Sequence, residues 1–485
     1  MADGSRVRRA DVPLGRLALL CAAMLFVLLG HITLIQAFGS HALNADHRNQ
    51  RPVITRYAHP RGDILTYEGT PIAVSVPADS GPYRYRRVYQ HGELYAAVTG
   101  HMSPRRLTGI EHAQDALLSG DDPKVRVRSL VSERDVEGAD VRLTISERVQ
   151  RAAHEGLKAA GIPGAAVALD PATGAVLALA TYPTYDPNTL TTFDPARLAE
   201  ETRRLRQAPG QPLLNRALHR LYPPGSTFKL VTAAAALASG EYTPAAPVDA
   251  PTRLRLPGTR TYLRNSGNAA CGDGRPTLLY AFQASCNTAF ATIGLKLGQD
   301  LLRDQAEAFG FNARDLRIPL ATEPSRYPLG MDRPQTALAA IGHHGDRATP
   351  LMIAMLSAAV ANDGVLMRPY LVEEVRLADG SVINRAGPTP YRRAVTPALA
   401  KYLAMMMTRT AQPNGSGTKA AVPGAAASRT AAADIVPGAE DHALMTAFAP
   451  AGTPEVAVGV VLEHPGRRAD AVTTITRAVI DAALS

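Results

Sequence analysis

The sequence predicts an α+β fold, an antiparallel sheet flanked by helices, preceded by a small N-terminal module and one membrane-spanning helix. Three observations carry this prediction. Residues 17–38 form a single apolar run. Strand-like pairs sit at both ends of residues 139–485 with helical stretches between them, the order expected when terminal segments share one sheet. Finally, 485 residues, 46% apolar and 20% charged, exceed what one hydrophobic core usually serves and exclude a disordered chain.

The first element is the membrane helix. Residues 17–38, LALLCAAMLFVLLGHITLIQAF, are interrupted only by His31, Thr33 and Gln36. As a helix this run covers about 33 Å, enough for a hydrocarbon layer of about 30 Å. Arg6, Arg8, Arg9 and Arg16 precede it in the tail 1–16. The positive-inside tendency therefore predicts a cytoplasmic N-terminus, with everything after residue 38 outside. A cleaved signal peptide is the rival reading, but its apolar region is usually about 7–15 residues and ends in a small-x-small site.

Residues 39–138 come next, polar and rich in Arg, Tyr and Gly. Their β-like runs RPVITRYA and DILTYEGTPIAVSVP predict a small, largely extended module, too short for a second enzymatic domain of ordinary size. From 139 to 485 the pattern changes. VRLTISERVQRAAHEGLKAAG reads as a strand and then a helix, with Ser146 as a candidate N-cap. GAAVALDPATGAVLALATYP reads as two apolar strands about a DPATG turn. Helical stretches follow around AEETRRLRQ, KLVTAAAALA, ASCNTAFATIGLKLG and PLMIAMLSAAVANDG. HALMTAFAP and PEVAVGVVLEH then form a second strand pair, and TTITRAVIDAAL closes the chain as a helix.

Composition narrows the function. The net charge of +9 is carried by arginine, since only six lysines occur, at 124, 158, 229, 296, 401 and 419. No basic-aromatic cluster points to nucleic acid. No CxxC or HExxH points to zinc, and no dinucleotide or haem motif is present, so neither metal nor cofactor is expected. Cys21 lies within the membrane run. Cys271 and Cys286 would face an oxidising compartment, where both a disulfide and two buried thiols remain open. Asp170 and Asp186 sit in turn-like Asp-Pro dipeptides and read as structural, not as a glycosidase pair. The His343-His344 pair has no further ligand spacing and reads as a solvent-facing loop.

The chemistry concentrates at YPPGSTFK. Pro223, Pro224 and Gly225 break structure, and Ser226 then starts an apolar helix with Lys229 one turn later on the same face. An amine beside a hydroxyl accepts its proton when the amine is neutral, and burial lowers a lysine pKa toward that state. A second polar element, Ser285-Cys286-Asn287, lies 59 residues downstream. Its hydroxyl can relay a proton, and its amide can hold a substrate carbonyl.

Together SxxK and S-x-N resemble the penicillin-recognising serine transpeptidases, whose third element is a Lys-Thr-Gly strand. The resemblance extends along roughly residues 40–485. RGDIL at 61–65 looks like the R-G-x-I element of class B penicillin-binding proteins, and HMSPRRLTGIE at 101–111 is similar to their pedestal. GAVLALATYPTYDPN, NRALHRLYPPGSTFK, SCNTAFATIG, ATPLMIAMLSAAVANDG and the AFAP hairpin follow the order of their catalytic domain. The short pedestal looks nearest to the penicillin-binding protein A branch and leaves no room for a glycosyltransferase.

The resemblance implies the penicillin-recognising transpeptidase fold and a peptidoglycan D,D-transpeptidase. Ser226 is then the nucleophile, Lys229 its base, Ser285 the proton relay and Asn287 the donor-peptide ligand. It implies as partners stem peptides ending in D-Ala-D-Ala, β-lactams, the cytoplasmic membrane and cell-wall synthesis proteins. Where the family has Lys-Thr-Gly-Thr-Ala-Glu, this chain has Arg429-Thr430-Ala431-Ala432-Ala433-Asp434. Arg429 and Thr430 would hold the substrate carboxylate, and the Ala432 N–H would join that of Ser226 in an oxyanion hole. Ala431 replaces a glycine that lets the strand pass near the nucleophile, and Lys419 is too far upstream to substitute for Arg429. Leu444 stands where a bulky aromatic is common, and His343 where a Gln usually follows Ile-Gly. The altered strand motivates an alternative, a catalytically weakened scaffold of the division or elongation machinery. A β-lactamase is disfavoured by the anchor, the pedestal and the lack of an evident deacylating glutamate.

Overall fold

The computed structural model describes residues 7–36, 51–78, 81–126, 137–411, 425–430 and 442–485, with backbone only at 7–14, 51–52 and 427–430. The chain divides into two compact units, residues 1–59 with 78–84, and residues 60–77 with 85–485. In the first, a helix runs from Val7 to Leu34, and its stretch Gly15–Leu34 is long and apolar enough to cross a membrane. A short helix follows at Arg51–Arg56, and the Tyr57 and Tyr83 rings meet edge to face at 5.8 Å. The expectation of a β-like run at RPVITRYA is corrected here. Pro52 falls in the first helical turn, where its missing N–H costs nothing, and the β-branched residues after it are accommodated.

The second unit is built on a five-stranded antiparallel sheet. Its order is Ala426–Thr430, His442–Ala449, Val456–Glu463, Gly164–Leu169, Val176–Tyr182, so strands from both ends of this region share one sheet. The strands are apolar on both faces because both faces are covered. On one face Ala166, Ala168, Met445 and Val458 pack with Val149, Ala153 and Leu157 of the Glu147–Ala160 helix and with Ile475 and Val479 of Ala471–Leu484. On the other, Ala165, Val167 and Leu169 join the core of the helices Lys229–Ala238 and Pro350–Ala361. Gly459 permits the latter contact, since a Cβ there would lie 2.4 Å from the Ala354 nitrogen. The Lys229–Ala238 helix is buried from residue 229 to 237, and its alanines let the Asn287–Ala308 helix approach closely.

Ser146 does precede the Glu147–Ala160 helix, but its hydroxyl donates to Glu68 Oε1 at 2.9 Å instead of capping the helix. Asp170 accepts from the Ala172 N–H and the Thr173 hydroxyl, and Asp186 from the Asn188 N–H, so both carboxylates brace turns.

A second sheet crosses the boundary expected at 138/139. Its strand order is Val382–Arg385, Val372–Arg376, Asp140–Leu143, Ile64–Leu65, Pro71–Pro77, Tyr85–Tyr89. Asp140–Leu143 pairs in parallel with Ile64–Leu65 on one side and antiparallel with Val372–Arg376 on the other. Beneath the pedestal strands lies a buried ion cluster. Glu111 accepts from Arg61 Nε and Arg87 Nε, both at 2.6 Å, and from the Tyr89 hydroxyl at 3.2 Å. Burial alone would raise the Glu111 carboxyl, yet Arg87 and Arg61 outweigh it and hold it below the usual range. RGDIL and HMSPRRLTGIE are thus joined through their Arg61 and Glu111.

Candidate active site

Gly225 has φ +51, and the residues after it form a tight turn, Gly225–Phe228, that runs directly into the Lys229–Ala238 helix. The turn is clamped from three sides. Phe228 stacks on Tyr327 at 5.5 Å and meets Phe311 edge-on at 5.5 Å. The Thr227 hydroxyl donates to the Pro224 carbonyl at 2.6 Å, and the Gly225 N–H donates to the Gly342 carbonyl at 3.1 Å. Ser226 and Lys229 are both buried in this turn. Three residues apart, they project from one face, with Cβ atoms about 5–6 Å apart by helical geometry.

The Lys229 ammonium has three hydrogen-bond acceptors among the described residues. Nζ lies 2.7 Å from the Ser285 carbonyl, 2.9 Å from the Ser285 hydroxyl and 2.6 Å from Asn287 Oδ1. Among the described residues no carboxylate compensates its burial, and desolvation pulls its pKa down to about 7. The geometry serves both protonation states. As an ammonium, Lys229 donates all three protons. As an amine it keeps two N–H donors for the two carbonyl-type oxygens, and its lone pair is left for a hydroxyl proton.

Ser285 sits at φ +54, a left-handed conformation rare for a residue with a side chain. Its N–H donates to Phe282 O and that of Cys286 to Ala281 O, at 3.0 and 2.9 Å. Cys286 is also bonded to Cys271, with their Cα atoms 5.9 Å apart. The middle residue of S-x-N is therefore covalently tied to the segment preceding it. Asn287 opens the Asn287–Ala308 helix and donates from Nδ2 to the Arg264 carbonyl at 3.1 Å, which fixes its Oδ1 toward Lys229. Asn265 Oδ1 accepts from the Thr288 N–H and hydroxyl at 3.0 and 3.3 Å.

The third wall is the edge strand Ala426–Thr430, which runs beside the Gly225–Phe228 turn. It pairs with His442–Ala449 in a register that sets Arg429 opposite Met445 and Thr430 opposite Leu444. Leu444 is buried. Arg429 and Thr430 are placed by their backbone alone, while Ala431, Ala432 and Lys419 lie outside the described residues.

The reading of His343-His344 as a solvent-facing loop is corrected. The Gly225–Gly342 hydrogen bond draws this segment against the turn that carries Ser226. Gly342 has φ +76, and a Cβ there would fall 2.3 Å from the Gly225 oxygen. His343 Nε2 is shielded from solvent with no hydrogen-bond partner among the described residues. Burial, reinforced by the charge of Lys229, pushes its pKa down to about 4, so the ring is neutral at pH 7. Sequence reasoning missed this residue as part of the site. The signal available was its place directly after Ile-Gly, where the family has a Gln.

A buried serine, a lysine of depressed pKa one turn on, and a serine–asparagine pair bonded to that lysine define a serine acyl-transferase site. Residues 164–481 match the penicillin-binding protein transpeptidase domain, and residues 61–141 match the penicillin-binding protein A dimerisation domain. The chain belongs to the penicillin-binding protein transpeptidase family. It is similar to the peptidoglycan D,D-transpeptidase PbpA of Mycolicibacterium smegmatis, 40% identical over 98% of this chain and 99% of that protein. PbpA of Mycobacterium tuberculosis is 39% identical, with coverage of 98% and 99%. The imipenem acyl-enzyme complex of penicillin-binding protein A from M. tuberculosis superposes with a TM-score of 0.84 at 39% identity, covering 89% of this chain and 100% of that one.

Proposed function

We propose that this chain is a membrane-anchored peptidoglycan D,D-transpeptidase with Ser226 as its nucleophile. One observation carries the reading: Lys229, buried and brought to a pKa of about 7, is bonded to Ser285 and Asn287 one turn after Ser226. Neutral Lys229 takes the Ser226 hydroxyl proton as Oγ attacks the carbonyl carbon of the penultimate D-Ala. The oxyanion is received by backbone N–H groups of Ser226 and Ala432. The C–N bond to the terminal D-Ala breaks, and the leaving amine takes the proton from Lys229 through the Ser285 hydroxyl. A second stem peptide's amine then attacks the acyl carbon, the ester C–O bond to Ser226 breaks, and Lys229 takes one amine proton and passes it to the departing Ser226 oxygen, restoring the hydroxyl and the neutral lysine. Asn287 aligns the donor peptide, and Arg429 and Thr430 hold its terminal carboxylate. β-Lactams acylate the same serine.

The segments divide as a cytoplasmic tail at 1–16, a membrane helix at 17–38, a pedestal at 39–138 and the transpeptidase domain at 139–485. The arginines before the helix support a catalytic domain outside the cytoplasmic membrane. The test is labelling by a fluorescent penicillin, which is expected on wild type and abolished in Ser226→Ala. Labelling that persists in the variant refutes the assignment.

A further inference from the structure

Beside the S-x-N turn stands a two-stranded hairpin, Arg253–Arg255 paired with Tyr262–Arg264. Its two faces differ sharply. Leu263 is buried and Leu254 packs against the main core, so this side is anchored. The opposite side carries Arg253, Arg255, Tyr262 and Arg264, all exposed, with Arg260 exposed in the connecting loop. The register sets Arg253 directly opposite Arg264, a like-charge cross-strand pair that is destabilising by itself. Among the described residues no carboxylate pairs with any of these four arginines. Arg255 donates to the Thr259 carbonyl and Arg264 to Asn268 Oδ1, while the Arg253 guanidinium lies 5.1 Å from the Tyr262 ring centre. The hairpin is also wired to the reaction centre, because the Arg264 carbonyl receives the Asn287 amide and Asn265 receives Thr288.

We propose that this basic face is a binding site for the carboxylates of the stem peptide upstream of its terminal D-Ala-D-Ala. The inference rests on the transpeptidase reading and names a specificity element of that same site. A peptide whose end lies at Ser226 and whose backbone is held by Asn287 must leave the cleft past the residues bonded to Asn287. The hairpin whose Arg264 carbonyl holds Asn287 adjoins that route, its outer face carries the arginines, and a peptidoglycan stem peptide carries carboxylates upstream of its end. Bound carboxylates would offset the Arg253–Arg264 repulsion, which no carboxylate among the described residues compensates.

The test uses full-length protein in detergent and measures how well a stem peptide slows labelling of Ser226 by fluorescent penicillin. Two peptides are compared, both with a free terminal D-Ala carboxylate, one with upstream carboxylates free and one with them amidated. In wild type the free-acid peptide should protect at about tenfold lower concentration, the effect of two or three exposed ion pairs. The advantage should shrink with added salt, disappear in Arg253→Gln/Arg255→Gln and return in Arg253→Lys/Arg255→Lys. Equal protection by both peptides in wild type overturns the proposal without any variant, as does an advantage that survives the Gln substitutions. Failure of the transpeptidase reading looks different: wild-type Ser226 is then not labelled at all.

Discussion

At the scale of single residues, the site depends on how an uncompensated cation behaves when buried. Lys229 has no acidic partner among the described residues, and desolvation brings its pKa down to about 7, so the fraction able to accept the Ser226 proton grows as pH rises through that value. The rate constant for penicillin acylation should therefore climb between about pH 6 and 8 and level off above. Lys229→Arg should remove this limb and slow acylation by about 10²–10⁴, the usual worth of a positioned base, because a guanidinium cannot give up its proton. Rates flat across that range would mean that Lys229 is not the base. Much of this residue-level picture was legible: the rarity of lysine and the placement of one at the third position after Ser226 singled it out. His343 was legible only through its place directly after Ile-Gly. Its burial comes from a backbone hydrogen bond between Gly225 and Gly342, two residues far apart in the chain, and no local pattern encodes that approach.

At the scale of elements, the S-x-N turn combines a left-handed serine with several braces. Ser285 is held in a left-handed conformation between two backbone hydrogen bonds and a residue fixed by the Cys271–Cys286 bond. Opening a crosslink that closes a loop of this size typically costs about 3 kcal/mol. Cys271→Ser should lower the melting temperature by several degrees and slow penicillin acylation, as Ser285 and Asn287 lose their fixed relation to Lys229. An unchanged acylation rate would show that the turn holds its shape through hydrogen bonds alone. Elements with strong signals were readable: the apolar strand pair about DPATG, the pair HALMTAFAP and PEVAVGVVLEH, and an alanine-rich helix after PPG. The sequence reading of Arg51–Arg56 went the other way, because β-branched residues suggested a strand and the permissive position of Pro52 at a helix start outweighed them.

At the scale of the whole molecule, the sheet that crosses residue 138 matters most. Asp140–Leu143 is a central strand with Ile64–Leu65 on one side and Val372–Arg376 on the other. Cutting at 138/139 would strip one neighbour and leave an unpaired edge, a template for aggregation. Residues 139–485 expressed alone should elute as aggregates in size-exclusion chromatography, while residues 60–485 should be monodisperse. A soluble, penicillin-reactive 139–485 fragment would contradict this. The change in composition near residue 140 marked a boundary in sequence, but strand pairing between segments more than two hundred residues apart leaves no trace in composition. The same pairing restricts how such proteins can be recombined. A chimaera that grafts a foreign pedestal onto this catalytic region needs a matching partner strand for Asp140–Leu143, so a workable crossover has to carry compatible halves of one hydrogen-bonded ladder.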